Sequence, residues 1–171
     1  YNATTPVLPE VVDAMLPYLR EHFGNPSSDH VYGQLAREAV ARARGQVAAL
    51  LGCDADEVVF TGGGTEANNL AIRGVAEARA ERRHVVTSVI EHPATAGPCD
   101  WLERHGWTVT RIAVDPDGRL RVADARAAIG DGTALLSMMH SNNETGVLQP
   151  VEETTAVARA CGALVHTDAA Q

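Results

Sequence analysis

The glycine turn Gly62-Gly63-Gly64-Thr65 is the first of four polar motifs whose residues could bind and act on a phosphorylated ligand. It precedes a predicted helix, and glycines let backbone N–H groups approach an anion closely. The free N–H groups and the dipole of a helix start favour negative charge there. Thr65 adds a hydroxyl donor. The ordinary alternative is a turn in which Thr65 is merely the N-cap, and the spacing is neither that of a Walker loop nor that of a GxGxxG motif.

The other three motifs each follow an apolar run. His92 could stack on a planar ring and exchange protons with its substituents. One of the amides of Asn142-Asn143 could bind a ring hydroxyl or a substrate carboxylate. Asp168 could pair with a protonated ring nitrogen, and Gln171 could reach the ring hydroxyl. The ordinary alternatives are, in the same order, a polar loop residue, a turn, a helix N-cap and a surface glutamine.

A phosphate cradle and a carboxylate at two strand ends indicate a phosphorylated cofactor with a basic ring, and pyridoxal phosphate (PLP) fits. The chain nevertheless contains no lysine, because all 14 of its Lys+Arg residues are arginine. A PLP enzyme normally holds its cofactor as a lysine Schiff base. The sequence therefore predicts much of a PLP site without the residue that would complete it.

The elements that must position these motifs are short apolar strands with helices between them. Five apolar, β-branched runs predict strands: Glu57–Phe60, His84–Val89, Trp107–Val114, Ala134–Met139 and Ala163–Thr167. Amphipathic helical patterns lie between most of them. This alternation predicts an α/β fold with a mostly parallel sheet covered by helices on both faces. Ligands bind at the carboxyl ends of such strands, where the motifs lie.

The first fifty residues follow a different pattern. They predict one helix that Pro17 should kink, then a loop at Gly24–Ser28 and a longer helix ended by Gly52. Near the end of the chain, Cys161-Gly162 predicts the end of another helix.

Composition narrows the function classes. The chain has 171 residues, 45% of them hydrophobic, which suffices for a folded core. Its formal net charge of −8 argues against a nucleic-acid or anionic-membrane surface. No apolar run is long enough to span a membrane and no leader pattern is evident, so we expect a cytoplasmic location. The three cysteines Cys53, Cys99 and Cys161 fit neither a disulfide framework nor a metal site, and we expect buried or half-buried thiols.

Six segments carry a resemblance to a known family: Asn2–Pro6, Gly24–Ser28 with His30, Thr61–Ile72, Glu91-His92, His140–Gly146 and His166–Gln171. In these the chain resembles the cysteine desulfurases, PLP enzymes of the class-V aminotransferase family. The similarity is to the class that serves nitrogen fixation and iron–sulfur cluster assembly. It implies the fold of the large domain of PLP-dependent transferases, which is the aspartate-aminotransferase-like fold type I.

The resemblance also implies a role for each site residue. Gly64 and Thr65 would hold the PLP phosphate, and His92 would stack on the ring and assist proton transfer. Asn143 would contact the cofactor and the substrate carboxylate. Asp168 would contact the pyridine nitrogen and Gln171 the ring hydroxyl, and no metal is implied.

The implied activity is removal of sulfur from L-cysteine, giving L-alanine and an enzyme persulfide. In this family the Schiff-base lysine, the persulfide cysteine and a small carboxy-terminal domain follow later in the chain. We therefore expect residues 1–171 to be an amino-terminal segment plus part of the PLP-binding large domain, inactive alone. The resemblance implies a homodimer, with the Gly24–Ser28 loop near the partner subunit, and sulfur-acceptor or scaffold proteins as partners.

Two alternatives stay open. The same scaffold could serve a selenocysteine lyase or another PLP-dependent β-elimination enzyme. The absent lysine, taken literally, favours a non-catalytic module that keeps the fold.

Overall fold

The computed structural model describes residues 4–170, so Gln171 and the segment before Thr4 lie outside the described residues. The described part forms two compact units, and the boundary between them along the sequence lies between Phe60 and Thr61. No helix among the described residues is both long enough and apolar enough to cross a lipid bilayer.

The first unit contains two helices, α1 (Pro9–Arg20) and α2 (Val31–Leu51). Helix α1 contains Pro17 and has no buried residue. Helix α2 ends at Gly52, whose φ of 70° lies in the left-handed region that glycine adopts without strain. Both helices and the Gly52 end confirm the sequence prediction.

The loop between these helices is packed closely against the start of α2. The Arg37 guanidinium donates hydrogen bonds to the carbonyl oxygens of Pro26 and Ser28, each at 2.9 Å. A Cβ atom on Gly33 would lie 2.2 Å from the Ser28 carbonyl oxygen, so the approach requires glycine. The predicted Gly24–Ser28 loop is therefore confirmed, with a shape fixed by α2.

The second unit alternates helices and strands. Its elements in chain order are α3 (Gly64–Ala78), β1 (His84–Ser88), α4 (Pro93–Arg104), β2 (Thr108–Ile112), α5 (Val122–Ala128), β3 (Thr133–Ser137), α6 (Val151–Ala160) and β4 (Leu164–His166). The four strands form one parallel sheet in the order β2-β1-β3-β4. Helix α6 ends at Ala160 with Cys161 as its C-cap, and Gly162 follows with φ 71°, so the predicted helix end at Cys161-Gly162 is confirmed.

Neighbouring residues of the central strands point to opposite faces of the sheet, and each face has its own core. Val85 and Leu135 pack with the buried side chains of α3 and α4, such as Ile72 and Leu102. Val86 and Leu136 belong to the core on the other face, with α5 and α6. The prediction of a parallel sheet covered by helices on both faces is confirmed.

The prediction of a strand at Glu57–Phe60 is wrong. Residues Ala55–Glu57 form a 3₁₀ turn, in which the Glu57 carboxylate accepts a hydrogen bond from Asp54 N at 2.8 Å. Val58 after it is extended, but no strand among the described residues pairs with Val58–Phe60. The side chains of Val59 and Phe60 are 65% and 48% exposed. An apolar run becomes a strand only where a neighbour satisfies its backbone groups, and the described residues supply none.

Candidate active site

The candidate site lies at the carboxyl edge of the sheet, where β1, β3 and β4 end. From β1 the chain goes to β2 on one side, and it later adds β3 and β4 on the other side. The order of the strands therefore reverses between β1 and β3, which is where ligands bind in open α/β sheets. Three of the four predicted strand-end motifs are confirmed as lying after strands, while the glycine turn follows the unpaired extended segment.

His92 occupies the N-cap of α4. Its Nδ1 accepts a hydrogen bond from Ala94 N at 3.1 Å, which ties the ring to the helix start. A nitrogen that accepts a hydrogen bond carries no hydrogen, so the neutral ring has its hydrogen on Nε2. His92 is exposed, so Nε2 can reach a ligand at the edge of the sheet.

The two neighbouring asparagines, Asn142 and Asn143, differ in the hydrogen bonds of their side chains. Asn142 Oδ1 accepts hydrogen bonds from Glu144 N at 3.0 Å and from Thr145 N at 2.9 Å, so Asn142 shapes the turn. Within the described part of the chain, the side chain of Asn143 makes no hydrogen bond. Asn143 is thus the amide that remains available to a ligand.

His92 and Asn143 line the same cleft, which has a volume of about 480 Å³. The cleft is formed by residues that follow β1, by the turn after β3 and by Gly118: Val89, Ile90, Glu91, His92, Pro93, Gly118, Asn142, Asn143, Glu144 and Thr145. Gly64, Thr65 and Asp168 are not among the residues that line this cleft.

Glu91 is a half-buried carboxyl group in this cleft that reasoning from the residues did not single out. Its Oε1 accepts hydrogen bonds from Ser88 Oγ at 2.5 Å and from Met139 N at 3.1 Å, so it joins the ends of β1 and β3. Burial raises the pKa of Glu91 to about 7, the two hydrogen bonds oppose this, and the nearby charge of Asp168 adds to it. Its Oε2 is buried and has no hydrogen-bond partner among the described residues.

The turn before α3 presents a helix start that can bind an anion. Helix α3 begins at Gly64, and the first N–H groups of a helix have no partner within it. Glu66 Oε2 accepts a hydrogen bond from Gly62 N at 2.6 Å and so caps the turn outside the helix. Cβ atoms built on Gly63 and Gly64 would meet no other atom of residues 4–170 within 4 Å, so these residues leave the space beside the two glycines open. Thr65 is exposed beside this space.

Asp168 follows β4 and is fixed through its backbone and its side chain. Its carbonyl oxygen accepts a hydrogen bond from His140 N at 2.8 Å. Its Oδ1 accepts from Ala170 N at 3.2 Å, which is the contact that the N-cap interpretation predicts. Its Oδ2 accepts from Asn68 Nδ2 at 2.8 Å, and a cap does not explain this second contact.

Asn68 lies on α3, one turn after Gly64, and it is the second residue at the candidate site that the sequence does not predict. Its side chain is buried, with the residue 4% exposed. The only sequence signal for Asn68 is its position within the Thr61–Ile72 segment, and the only one for Glu91 is its place before His92.

The remaining predicted positions are less informative. Gln171 lies outside the described residues. Cys53 and Cys161 are partly buried and Cys99 is buried, as expected, and burial raises the pKa of the Cys99 thiol to about 11. Within residues 4–170, no group of three or more His, Cys, Asp or Glu side chains is arranged to hold a metal ion.

Comparison with known proteins identifies relatives of the whole chain. Residues 1–171 match the family model described as aminotransferase class-V. A curated relative, the cysteine desulfurase of Trichormus azollae, is 48% identical over 99% of this chain and 42% of its own length. The chain thus spans about two fifths of the length of this relative.

Solved structures agree with the sequence relatives. A structure titled NifS-like protein has a TM-score of 0.95 and 36% identity, over 99% of this chain and 47% of its own. A structure titled SspA in complex with cysteine also has a TM-score of 0.95, with 40% identity over 100% of this chain and 50% of its own. The predicted resemblance and the predicted α/β fold of PLP-dependent transferases are therefore confirmed.

Proposed function

The chain belongs to the class-V aminotransferase family, and from this premise we propose that the protein carrying it is a PLP-dependent cysteine desulfurase. Such an enzyme removes sulfur from L-cysteine, releases L-alanine and leaves the sulfur as a persulfide on a cysteine thiol. We use the term native protein for the polypeptide as its gene encodes it, with any further residues and partner chains. The names of the relatives support this proposal.

The observation that carries the proposal is the hydrogen bond between Asn68 and Asp168. Asn68 lies on the helix that starts at Gly64, so one helix both offers a phosphate site at its first turn and holds a carboxylate one turn later. Four residues of helix span about 6 Å along the axis. A phosphate site and a fixed carboxylate on one rigid element suit a cofactor with a phosphate and a basic ring.

The residues present fit PLP. Gly64 and Thr65 would hold its phosphate, because the helix start offers free N–H groups and the space beside the glycines is open. Asp168 would accept a hydrogen bond from the protonated ring nitrogen, since an ionised carboxylate has further lone pairs beyond those bonded to Asn68 and Ala170. When bound, PLP supplies a sink for the electrons left on a substrate carbon.

The side chains around the cleft would bind the substrate and control protons. His92 would lie against the cofactor ring and donate from Nε2, because Nδ1 is engaged by Ala94 N. Asn143 would bind the substrate carboxylate with its available amide. Glu91 would hold a proton on Oε2, since Oε1 already accepts two hydrogen bonds. In this proposal Gln171 contacts the ring hydroxyl.

The finer features of the proposal rest on the resemblance. They are a homodimer with the Gly24–Ser28 loop near the partner subunit, a cytoplasmic location and transfer of sulfur to acceptor or scaffold proteins of iron–sulfur assembly. The free thiols of the chain are compatible with a reducing compartment. Because the chain contains no lysine, the amine that would hold PLP covalently is supplied by residues outside this sequence.

A product assay on the native protein tests the proposal. The protein is incubated with PLP, L-cysteine and a thiol reductant, and alanine, sulfide and pyruvate are quantified. A desulfurase forms alanine and sulfide in equal amounts. Pyruvate in place of alanine would identify β-elimination, and turnover of selenocysteine alone would identify a selenocysteine lyase. A protein that binds no PLP and turns over neither substrate would be identified as a non-catalytic module.

A further inference from the structure

A line of hydrogen bonds behind Asp168 connects it to the interior of the sheet. The first contact joins Ser137 Oγ on β3 to His166 Nδ1 on β4, at 2.9 Å. The second joins His166 Nε2 to Asn68 Oδ1, at 3.1 Å, and the third joins Asn68 Nδ2 to Asp168 Oδ2, at 2.8 Å. We call Ser137, His166 and Asn68 the Asn68 relay.

The chemistry of the partners fixes the direction of each hydrogen bond. An ionised carboxylate can only accept, so the NH₂ group of Asn68 must face Asp168 and its oxygen must face His166. The Asn68 oxygen in turn requires a hydrogen on His166 Nε2. Burial lowers the pKa of His166, partly offset by the charge of Asp168, so the ring is neutral and its Nδ1 accepts from the Ser137 hydroxyl.

Because the residues of the Asn68 relay are buried or partly buried, their polar atoms have few alternative hydrogen-bond partners. Ser137 is fully buried and Asn68 is 4% exposed, so water competes weakly for their polar atoms. A buried amide that lost either partner would leave a donor or an acceptor unsatisfied, which is costly. In all three hydrogen bonds the donor lies on the side away from Asp168. Each side chain of the relay therefore holds the next side chain in a single orientation.

Resting on the proposed function, in which Asp168 pairs with the ring nitrogen of PLP, we propose that Asn68 is a positioning residue for that pairing. Asn68 at Oδ2 and Ala170 N at Oδ1 together fix the rotation of the Asp168 carboxylate. His166, which is itself held by Ser137, fixes the Asn68 amide. The terminal torsion of an aspartate is otherwise broad, so an unheld carboxylate samples orientations that do not face the ring. Asn68 does not line the cleft assigned to the substrate.

The test uses variants of the native protein. Asn68→Leu removes both polar contacts at similar volume. His166→Leu removes the donor that fixes Asn68, whereas His166→Gln offers an amide donor in its place. Thr154→Val is the matched control, because Thr154 is also fully buried and donates to Pro150 O, but it lies on α6 outside the site. Each variant is characterised by its melting temperature, its dissociation constant for PLP, the absorbance maximum of bound PLP, and kcat and KM for L-cysteine.

The relay makes distinct predictions for these variants. Asn68→Leu should weaken PLP binding about tenfold to a hundredfold, shift the absorbance maximum and lower kcat with little change in KM. His166→Leu should change the same quantities in the same direction, and His166→Gln should restore most of the loss. Thr154→Val should lower the melting temperature without changing PLP affinity or the spectrum.

Three results would overturn the proposal, and they are distinguishable. If the wild-type protein binds PLP and forms alanine but Asn68→Leu matches Thr154→Val, the residue is merely structural. If Asn68→Leu does not fold, equal PLP affinities of His166→Leu and wild type lead to the same conclusion. A wild-type protein that binds no PLP overturns the proposed function, and this inference with it.

Discussion

Asp168 receives hydrogen bonds from three different parts of the second unit, at His140 N, Ala170 N and Asn68 Nδ2. Replacing it by alanine in the native protein, with PLP supplied at a saturating concentration, should reduce turnover far more than PLP content, because the phosphate contacts remain while the charge partner of the ring is lost. We expect kcat to fall roughly 10²-fold or more, by analogy with other deletions of preorganised charge. Turnover and bound PLP should be measured on one preparation.

The exposed Asp117 provides the control for this substitution, because its carboxylate makes no hydrogen bond within the described part. Asp117→Ala should turn over L-cysteine like the wild type. Normal turnover by Asp168→Ala would show that Asp168 only caps the turn that follows β4.

Glu91 gives a prediction for the pH dependence of stability. A carboxyl whose pKa rises from 4.5 to about 7 on folding contributes stability that is fully present below pH 4.5 and is lost as the pH rises through 7. Glu91→Gln removes this pH-dependent loss of stability, because glutamine does not ionise, and its side chain has a volume similar to that of glutamate. From pH 4.5 to pH 8, the stability of the variant relative to wild type should therefore rise, by up to roughly 3 kcal/mol. Denaturant unfolding at several pH values measures it.

Glu81→Gln is the matched control for Glu91→Gln, because Glu81 is exposed after the end of α3. Its stability relative to wild type should stay constant across the same pH range. A constant difference for Glu91→Gln as well would contradict the raised pKa of Glu91.

At the scale of elements, α3 links the two halves of the candidate cofactor site, since it begins at Gly64 and holds Asp168 through Asn68. Thr65→Val removes a hydroxyl that makes no hydrogen bond within the described residues, so the fold should be unaffected. If that hydroxyl binds the phosphate, PLP affinity should fall about tenfold to a hundredfold, as for a hydrogen bond to a charged group. Fluorescence titration with PLP measures the change.

Thr155→Val, on α6, is the control for the same change of side chain elsewhere. It should leave the affinity for PLP unaltered. If Thr65→Val and Thr155→Val bind PLP equally well, the α3 start does not contact the phosphate through Thr65.

Four strands could be predicted from the sequence because each is an apolar run that pairs with a neighbouring strand. The run at Glu57–Phe60 has the same composition, but pairing depends on a partner that a local pattern does not reveal. Asp54 and Glu57 do carry a local signal for the turn found there, a carboxylate three residues after a capping residue.

The same distinction applies to the site. His92, Asn143 and Asp168 could be proposed because each follows a strand, and position along the chain indicates the edge of the sheet. Asn68 and Glu91 gain their roles from contacts with residues far away in the sequence, such as Asp168 and Met139. Spacing alone does not predict such contacts.

At the scale of the whole molecule, the chain exposes much apolar surface. Leu19, Phe23, Leu50 and Leu51 are 69%, 78%, 85% and 68% exposed, and β2 and β4 are the edges of the sheet. Surfaces of this kind are normally covered by other segments or subunits. A polypeptide of residues 1–171 produced alone should therefore self-associate in sedimentation velocity, increasingly with concentration.

The native protein is the comparison for that experiment, and we expect it to sediment as a discrete dimer. A polypeptide of residues 1–171 that remains monomeric and unfolds cooperatively would contradict the expectation that these surfaces need cover. It would favour a module that is stable by itself.

The central claim is that the carboxyl edge of the sheet and the start of α3 form one PLP site. A crystal structure of the native protein grown with PLP tests it most directly. We predict a phosphate at the N–H groups of Gly64 and Thr65, the ring nitrogen hydrogen-bonded to Asp168, and the ring beside His92. PLP bound elsewhere, or a ring nitrogen that faces away from Asp168, would contradict the account.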